Sequence, residues 1–157
     1  PPLGAEKTLR VSKSAYVVLV GMSGGLFVVS LMFALFIHRS FWSAAAIFFV
    51  PLTITVVWLR YFGVVLSKGG IVYRTLLGGT MTFEWNDIVN AELKTGYLRN
   101  EPGGWFRPPF RLVLTPKNPS CRSMIINVKL LSRRDCSELV RVIQSNVEGC
   151  NFPKTVF

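Results

Sequence analysis

Acidic side chains are scarce in this chain. Eight Asp and Glu stand against 18 Lys and Arg, a formal charge of +10 over 157 residues. Histidine is scarcer still: His38 is the single one. Catalysis by proton transfer or nucleophilic attack needs positioned acids, bases and nucleophiles, and few candidates exist. No HExxH, GxSxG, phosphate-loop or dinucleotide fingerprint occurs. The three cysteines, Cys121, Cys136 and Cys150, match no zinc or CxxC spacing, and an odd number cannot all pair internally. They read as reduced, structural thiols. The expectation is therefore no catalytic, cofactor-binding or metal-binding residue, no enzyme and no small-molecule substrate. Charge of either sign is also low. Only 17% of residues are charged and 50% are strongly apolar, with a mean hydropathy of +0.42, where soluble domains carry roughly 25% charged residues. That excludes disorder, which needs low hydrophobicity. The surplus of cations equally excludes a bundle wholly buried in lipid, so the chain divides into two unlike parts.

The apolar part lies at 15–62. From Ala15 to Ile37 no residue is charged, and at 1.5 Å per residue this run spans about 34 Å, enough for a hydrocarbon core of about 30 Å. His38, Arg39 and Ser40 interrupt it, and a second uncharged run extends from Phe41 to Leu59. Two such runs predict a transmembrane hairpin, 15–37 and 41–59. Lys7, Arg10 and Lys13 precede it in the basic segment 1–14, and Arg60, Lys68 and Arg74 follow, while the turn holds only Arg39. The positive-inside rule then puts both termini on the cytoplasmic, matrix or stromal side. Gly21 and Gly25 form a GxxxG that lets another helix approach closely, with Ala44, Ala45 and Ala46 as a matching small surface on the second span. The contact is either within the hairpin or with another membrane subunit. Pro51 is expected to kink the second span. No Asp, Glu, Lys or Arg lies within either span, so nothing suggests an ion path. His38 reads as a solvated imidazole at a helix end.

From Gly63 the pattern changes to short alternating runs. Val64–Ser67, Ile71–Leu77, Thr80–Trp85, Ile88–Lys94, Phe110–Thr115 and Arg122–Lys129 predict about six strands. Gly78-Gly79 is a hairpin signal, since both positions tolerate positive φ. Ser132 with Asp135 three residues on is a capping-box variant. Cys136, Leu139, Val140, Ile143 and Val147 recur at helical spacing until Gly149, which predicts one amphipathic helix laid on the sheet. The expected domain, 63–149, is small and its core thin, and 150–157 is a tail.

Two spans, then Ser-Lys-Gly-Gly-Ile-Val-Tyr-Arg, a Gly-Gly hairpin and Phe83-Glu84-Trp85-Asn86-Asp87-Ile88, resemble the bacterial membrane-anchored PH-like domain proteins over about 41–147. The resemblance implies a membrane α-helical hairpin plus an α+β domain: a PH-like antiparallel β-barrel or sandwich, capped by the C-terminal amphipathic helix. It also implies a binding platform rather than a given function. The chain departs from that pattern in having about six strands where such a barrel has seven, and in the long insertion Tyr97–Pro108.

Residues 63–157 hold 13 Lys and Arg against seven Asp and Glu. Held beside an anionic leaflet, such a surface gains about 1 kcal/mol per basic residue near the headgroups. Arg60, Lys68 and Arg74 are the headgroup-contact candidates; too few cations cluster at the first hairpin for a specific inositol-phosphate site. The cations are scattered and the chain is tethered, which argues against nucleic acid as a partner despite the charge. The candidate protein-binding segment is the loop carrying Tyr97, Arg99, Trp105, Phe106 and Arg107, residue types enriched at interface anchors in a loop long enough to be functional. The same aromatics could instead pack onto the domain. The function expected is a non-catalytic accessory, assembly or scaffold subunit of a membrane complex, its partners other membrane subunits and the anionic lipid surface. The alternative is a tethered lipid-headgroup sensor. A bacterial inner membrane is favoured; an organelle inner membrane stays open, because the chain opens on Pro1 and a removed transit peptide would leave such a start.

Overall fold

A computed structural model describes residues 6–76, 79–95 and 110–152. Eight strands and three α-helices follow in the order β1 (Lys7–Arg10), α1 (Lys13–Phe36), α2 (Phe41–Tyr61), β2 (Gly63–Leu66), β3 (Gly70–Thr75), β4 (Gly79–Glu84), β5 (Ile88–Thr95), β6 (Phe110–Pro116), β7 (Met124–Asn127), α3 (Arg133–Asn146) and β8 (Cys150–Asn151).

Helices α1 and α2 are long and apolar enough to cross a bilayer, and only 11% of the most apolar stretch of each is buried. A core helix of a soluble domain shows the reverse. Ser12 caps α1: its hydroxyl accepts from the Ala15 N–H at 3.2 Å. Helix α2 continues through Pro51, where the ring costs one intrahelical hydrogen bond. The helices meet along small residues. Ser30, Ala34 and Ala45 are buried, Gly24 lies against Leu52 at 3.7 Å from where a Cβ would stand, and Phe27 meets Phe49 with ring centres 5.6 Å apart.

The hairpin and the β-domain are continuous. Only Val11 and Ser12 separate β1 from α1, and only Phe62 separates α2 from β2. The two flanking strands pair with each other antiparallel, Lys7 opposite Leu66 through Arg10 opposite Gly63. Sheet one has the order β1-β2-β3-β4 and sheet two β7-β6-β5-β8. All pairings are antiparallel except β5 with β8. Seven strands thus follow the hairpin, where the alternation predicts about six, and one more precedes it. The two sheets do not close into a barrel.

Alternation decides the faces. In sheet one, Leu9, Val64 and Tyr73 share a cross-strand row and point inward, with Leu66 and Ile71 in the next inward row. In sheet two the inward rows are Ala91, Leu114 and Met124, then Leu93, Leu112 and Ile126. Helix α3 covers these faces with Cys136, Leu139, Val142 and Ile143. Ser132 opens α3 as its capping box predicts: its hydroxyl accepts from the Asp135 N–H at 3.1 Å and donates to the Asp135 carboxylate at 2.6 Å. Leu59 and Phe62 at the foot of α2 belong to the same core. Phe62 meets the Tyr73 ring edge-on at 5.8 Å.

Two glycines are demanded by close approach. A Cβ on Gly70 would stand 2.1 Å from the Phe83 carbonyl oxygen, and one on Gly149 would stand 2.2 Å from that of Val89. Helix α3 ends at Asn146, before Gly149, so Gly149 is there to let the chain pass against β5 and to accept from the Ala91 N–H at 2.8 Å. Gly79 adopts φ +66°, as the hairpin signal requires.

Candidate functional site

The strand directions put one end of the β-domain at the helices and the other away from them. Arg10, opposite Gly63, is followed within three residues by α1; Gly63 is preceded within two by α2. Arg74 lies opposite Gly63 on its other side, so Arg10, Gly63, Arg74 and Thr80 form one cross-strand row on the outward face. The 3₁₀ turn Val128–Leu130 also lies here, because the Ser12 N–H donates to the Leu130 carbonyl at 2.7 Å.

Exposed cations gather at this near end: Arg10, Lys13, Arg60, Arg74 and Lys129. Asp135 is also at this end, bound to Ser132. The far end is different. There the β2–β3 turn carries Lys68, β4 runs into Glu84 and Asp87, and Glu148 follows α3. The Lys117 N–H donates to the Asp87 carbonyl at 2.7 Å, closing that end. Among the described residues, the near end is rich in exposed cations, whereas the far end mixes Lys68 and Lys117 with Glu84, Asp87 and Glu148.

Arg60 and Arg74, two of the three headgroup-contact candidates, therefore lie at the same end of the domain, and Lys68 does not join them. Lys68 lies five residues beyond Gly63, in the turn between β2 and β3 at the end away from the helices. Sequence proximity to α2 pointed to it; strand direction carries it away. Arg10 takes the third place instead. Its signal was a cation three residues ahead of the helix, but only the β1–β2 register sets it beside Arg74.

Gly21 and Gly25 do not make the hairpin contact. Neither would bring a Cβ within 4 Å of another residue, and both are exposed. The face that meets α2 runs through Gly24, Phe27, Ser30 and Ala34, on a different side of the helix from the glycine pair. Of the small residues at 44–46, Ala45 is the one buried. Tyr97, Arg99, Trp105, Phe106 and Arg107 lie outside the described residues. The strands flanking that loop are paired: Lys94 lies opposite Arg111 and Arg111 opposite Asn127, and Asn127 leads directly into the turn bonded to Ser12.

Cavities indent the domain among the described residues. One, about 550 Å³, sits at the far end between Ser67, Lys68, Gly70, Glu84, Trp85 and Asn146. The Trp85 indole N–H donates to the Ser67 carbonyl at 3.1 Å and forms part of its wall. Another, about 560 Å³, is lined by Lys94, Arg111, Val113, Thr115, Arg122 and Ser123 on the outward face of sheet two. Arg111 is 1% exposed there although alternation points it away from the core.

Titration behaviour follows burial. Burial raises the Tyr73 phenol, against a hydrogen bond from Thr75 that lowers it. Burial, and then the nearby Asp135 carboxylate, push the Cys136 thiol up to about 11, and burial raises Cys150. Glu92 is lowered, first by the Asn90 side-chain amide donating at 2.9 Å and then by Lys94 at 3.3 Å. Raised thiols are less reactive at neutral pH. Among the described residues no three His, Cys, Asp or Glu side chains are grouped to hold a metal. His38 is exposed, bonded through Nδ1 to the Ser40 hydroxyl and accepting from the Ser40 N–H at 3.2 Å. Comparison with protein-family models, with curated proteins and with solved structures returns no match.

Proposed function

We propose that this chain is a two-span membrane protein whose β-domain is a fixed, non-catalytic binding module, an accessory, assembly or scaffold subunit of a larger membrane complex. Both termini lie on the cytoplasmic, matrix or stromal side, and the domain is of the PH-like kind. One observation carries the reading: the domain is mounted on the helices without a linker. β1 enters α1 and α2 enters β2 within one or two residues, the two strands pair, and Leu59 and Phe62 join the core. A module that searches for soluble ligands gains from a flexible tether. A rigid mount instead fixes one surface at one height above the bilayer, which suits docking to neighbours in the same membrane.

The outward Gly21 and Gly25 support this, since α2 leaves them free for another helix. The Trp105–Arg107 segment supplies residue types suited to a protein contact. Extraction of the native membrane in mild detergent tests the reading. The chain is expected to elute with other chains, and Trp105→Ala with Phe106→Ala should release them without lowering the melting temperature of the domain. Elution as a lone monomer from native-level expression would overturn it.

A further inference from the structure

We infer that Arg10, Arg74 and Arg60 form a seat for the phosphate of an anionic membrane phospholipid, which holds the near end of sheet one against the leaflet. This rests on the two-span reading and names the lipid contact of that reading.

Arg10 and Arg74 stand on either side of Gly63 on the outward face of the sheet. Adjacent strands are about 4.8 Å apart, so their Cα atoms are roughly 10 Å apart, a gap two long guanidinium side chains can close on one phosphate. Gly63 puts no side chain between the two arginines: it is itself buried in the sheet, and the nearest atom to the place of a Cβ there is the backbone carbonyl oxygen of Leu9, at 3.9 Å. A third guanidinium, Arg60, leaves the last turn of α2 three residues before Gly63.

Arg10, Arg60 and Arg74 are all exposed. The ion pairs among the described residues are Lys7 with Glu138 and Lys94 with Glu92, and neither involves this row. Arginine suits the task because its planar fork binds phosphate through two parallel N–H bonds. The membrane itself sets the source. The row lies where both apolar helices leave the domain, at the depth of headgroups if they span the bilayer. The β3–β4 hairpin projects from the same end, and Leu76 at its base is 39% exposed, a side chain placed to enter the interface beside Arg74. The acids Glu84, Asp87 and Glu148 are held at the opposite end.

Native mass spectrometry of the full chain, released from nanodiscs of phosphatidylcholine doped with phosphatidylglycerol, provides the test. The wild-type chain should retain about one phosphatidylglycerol in preference to phosphatidylcholine. Each cation near the surface contributes roughly a fivefold factor in affinity, so R10Q with R74Q should reduce retention on the order of 20-fold. Lys substitutions at both sites should keep the charge and lose part of the retention. K68Q with K117Q, at the far end, should leave it unchanged. Equal losses from the near and far pairs would mean diffuse attraction and overturn the seat, as would retention indifferent to R10Q with R74Q. Free inorganic phosphate that displaces the lipid at millimolar concentration would overturn the membrane source. Failure of the two-span reading shows separately, as release of the chain by alkaline carbonate without detergent. A melt of R10Q with R74Q that matches the wild type excludes misfolding, and the Lys variants supply the comparison if it does not.

Discussion

The backbone N–H of Ser12 donates to the carbonyl of Leu130 at 2.7 Å. That bond joins the residue that caps the first apolar helix to the turn that leads into the last helix of the β-domain. Ser12 thus serves two partners, since its hydroxyl accepts from the Ala15 N–H. The functions separate by substitution. Ser12→Ala removes only the cap and should cost about 1 kcal/mol. Ser12 has φ −65°, the value proline imposes, so Ser12→Pro removes the N–H without forcing φ. It leaves the Leu130 carbonyl unpaired, a further cost of about 1–3 kcal/mol. Thermal melts in detergent should rank wild type above Ala above Pro, and a proline variant as stable as Ala would deny the bond any role in the mount.

The adjacent glycines at the β2–β3 turn should respond very differently. A Cβ on Gly69 meets nothing within 4 Å, whereas one on Gly70 falls on the Phe83 carbonyl. That carbonyl belongs to β4 and cannot move aside without breaking the β3–β4 ladder. Gly70→Ala is expected to destabilise by about 1–3 kcal/mol, as overpacking does, and Gly69→Ala by less than about 0.5 kcal/mol. Chemical denaturation of the two variants reads the difference directly.

Cys121 is exposed, Cys150 half-buried and Cys136 buried. Maleimide at pH 7.5 should modify Cys121 in the folded protein and reach Cys136 only on unfolding. The pH dependence has a definite sign. The folded state holds the Cys136 thiol neutral up to about pH 11, whereas an unfolded cysteine ionises near its ordinary value of roughly 8.5. The unfolded chain therefore loses its proton first, and stability should fall between about pH 8.5 and 11. Cys136→Ala should flatten that alkaline slope while lowering stability at pH 7 through the lost packing. An unchanged slope would assign the alkaline loss to other groups, Tyr73 foremost.

The parts of this fold that sequence pattern reveals are those with enough residues to show a period. Six strands and both apolar helices are legible because each repeats its pattern over several residues, and Ser132 with Asp135 marks the start of α3 by a specific bond pair. β1 is not legible: Lys-Thr-Leu-Arg has one apolar residue, and its strand character comes from pairing with β2. β8 is two residues in parallel register, too short for any period. The Arg10–Arg74 row needs two registers at once, and Lys68 reads from the sequence as a headgroup contact only because strand direction is absent from composition. Gly149 resembles a helix stop, yet Val89 is what requires it.

Flanking charge should decide which side of the membrane the domain occupies. Cations flank the hairpin at Lys7, Arg10, Lys13 and Arg60, with Arg39 alone in the turn, and cationic flanks stay on the cytoplasmic side. The native Cys121 and an introduced Ser40→Cys report the two sides, because both positions are exposed. In intact spheroplasts an impermeant maleimide should label Ser40→Cys and spare Cys121, with Cys121 labelled only after permeabilisation. Replacing Lys7, Arg10 and Lys13 with Gln and adding two lysines beside Arg39 removes the asymmetry. That variant should give mixed labelling, and a population labelled as cleanly as the wild type would show that something other than flanking charge orients the hairpin.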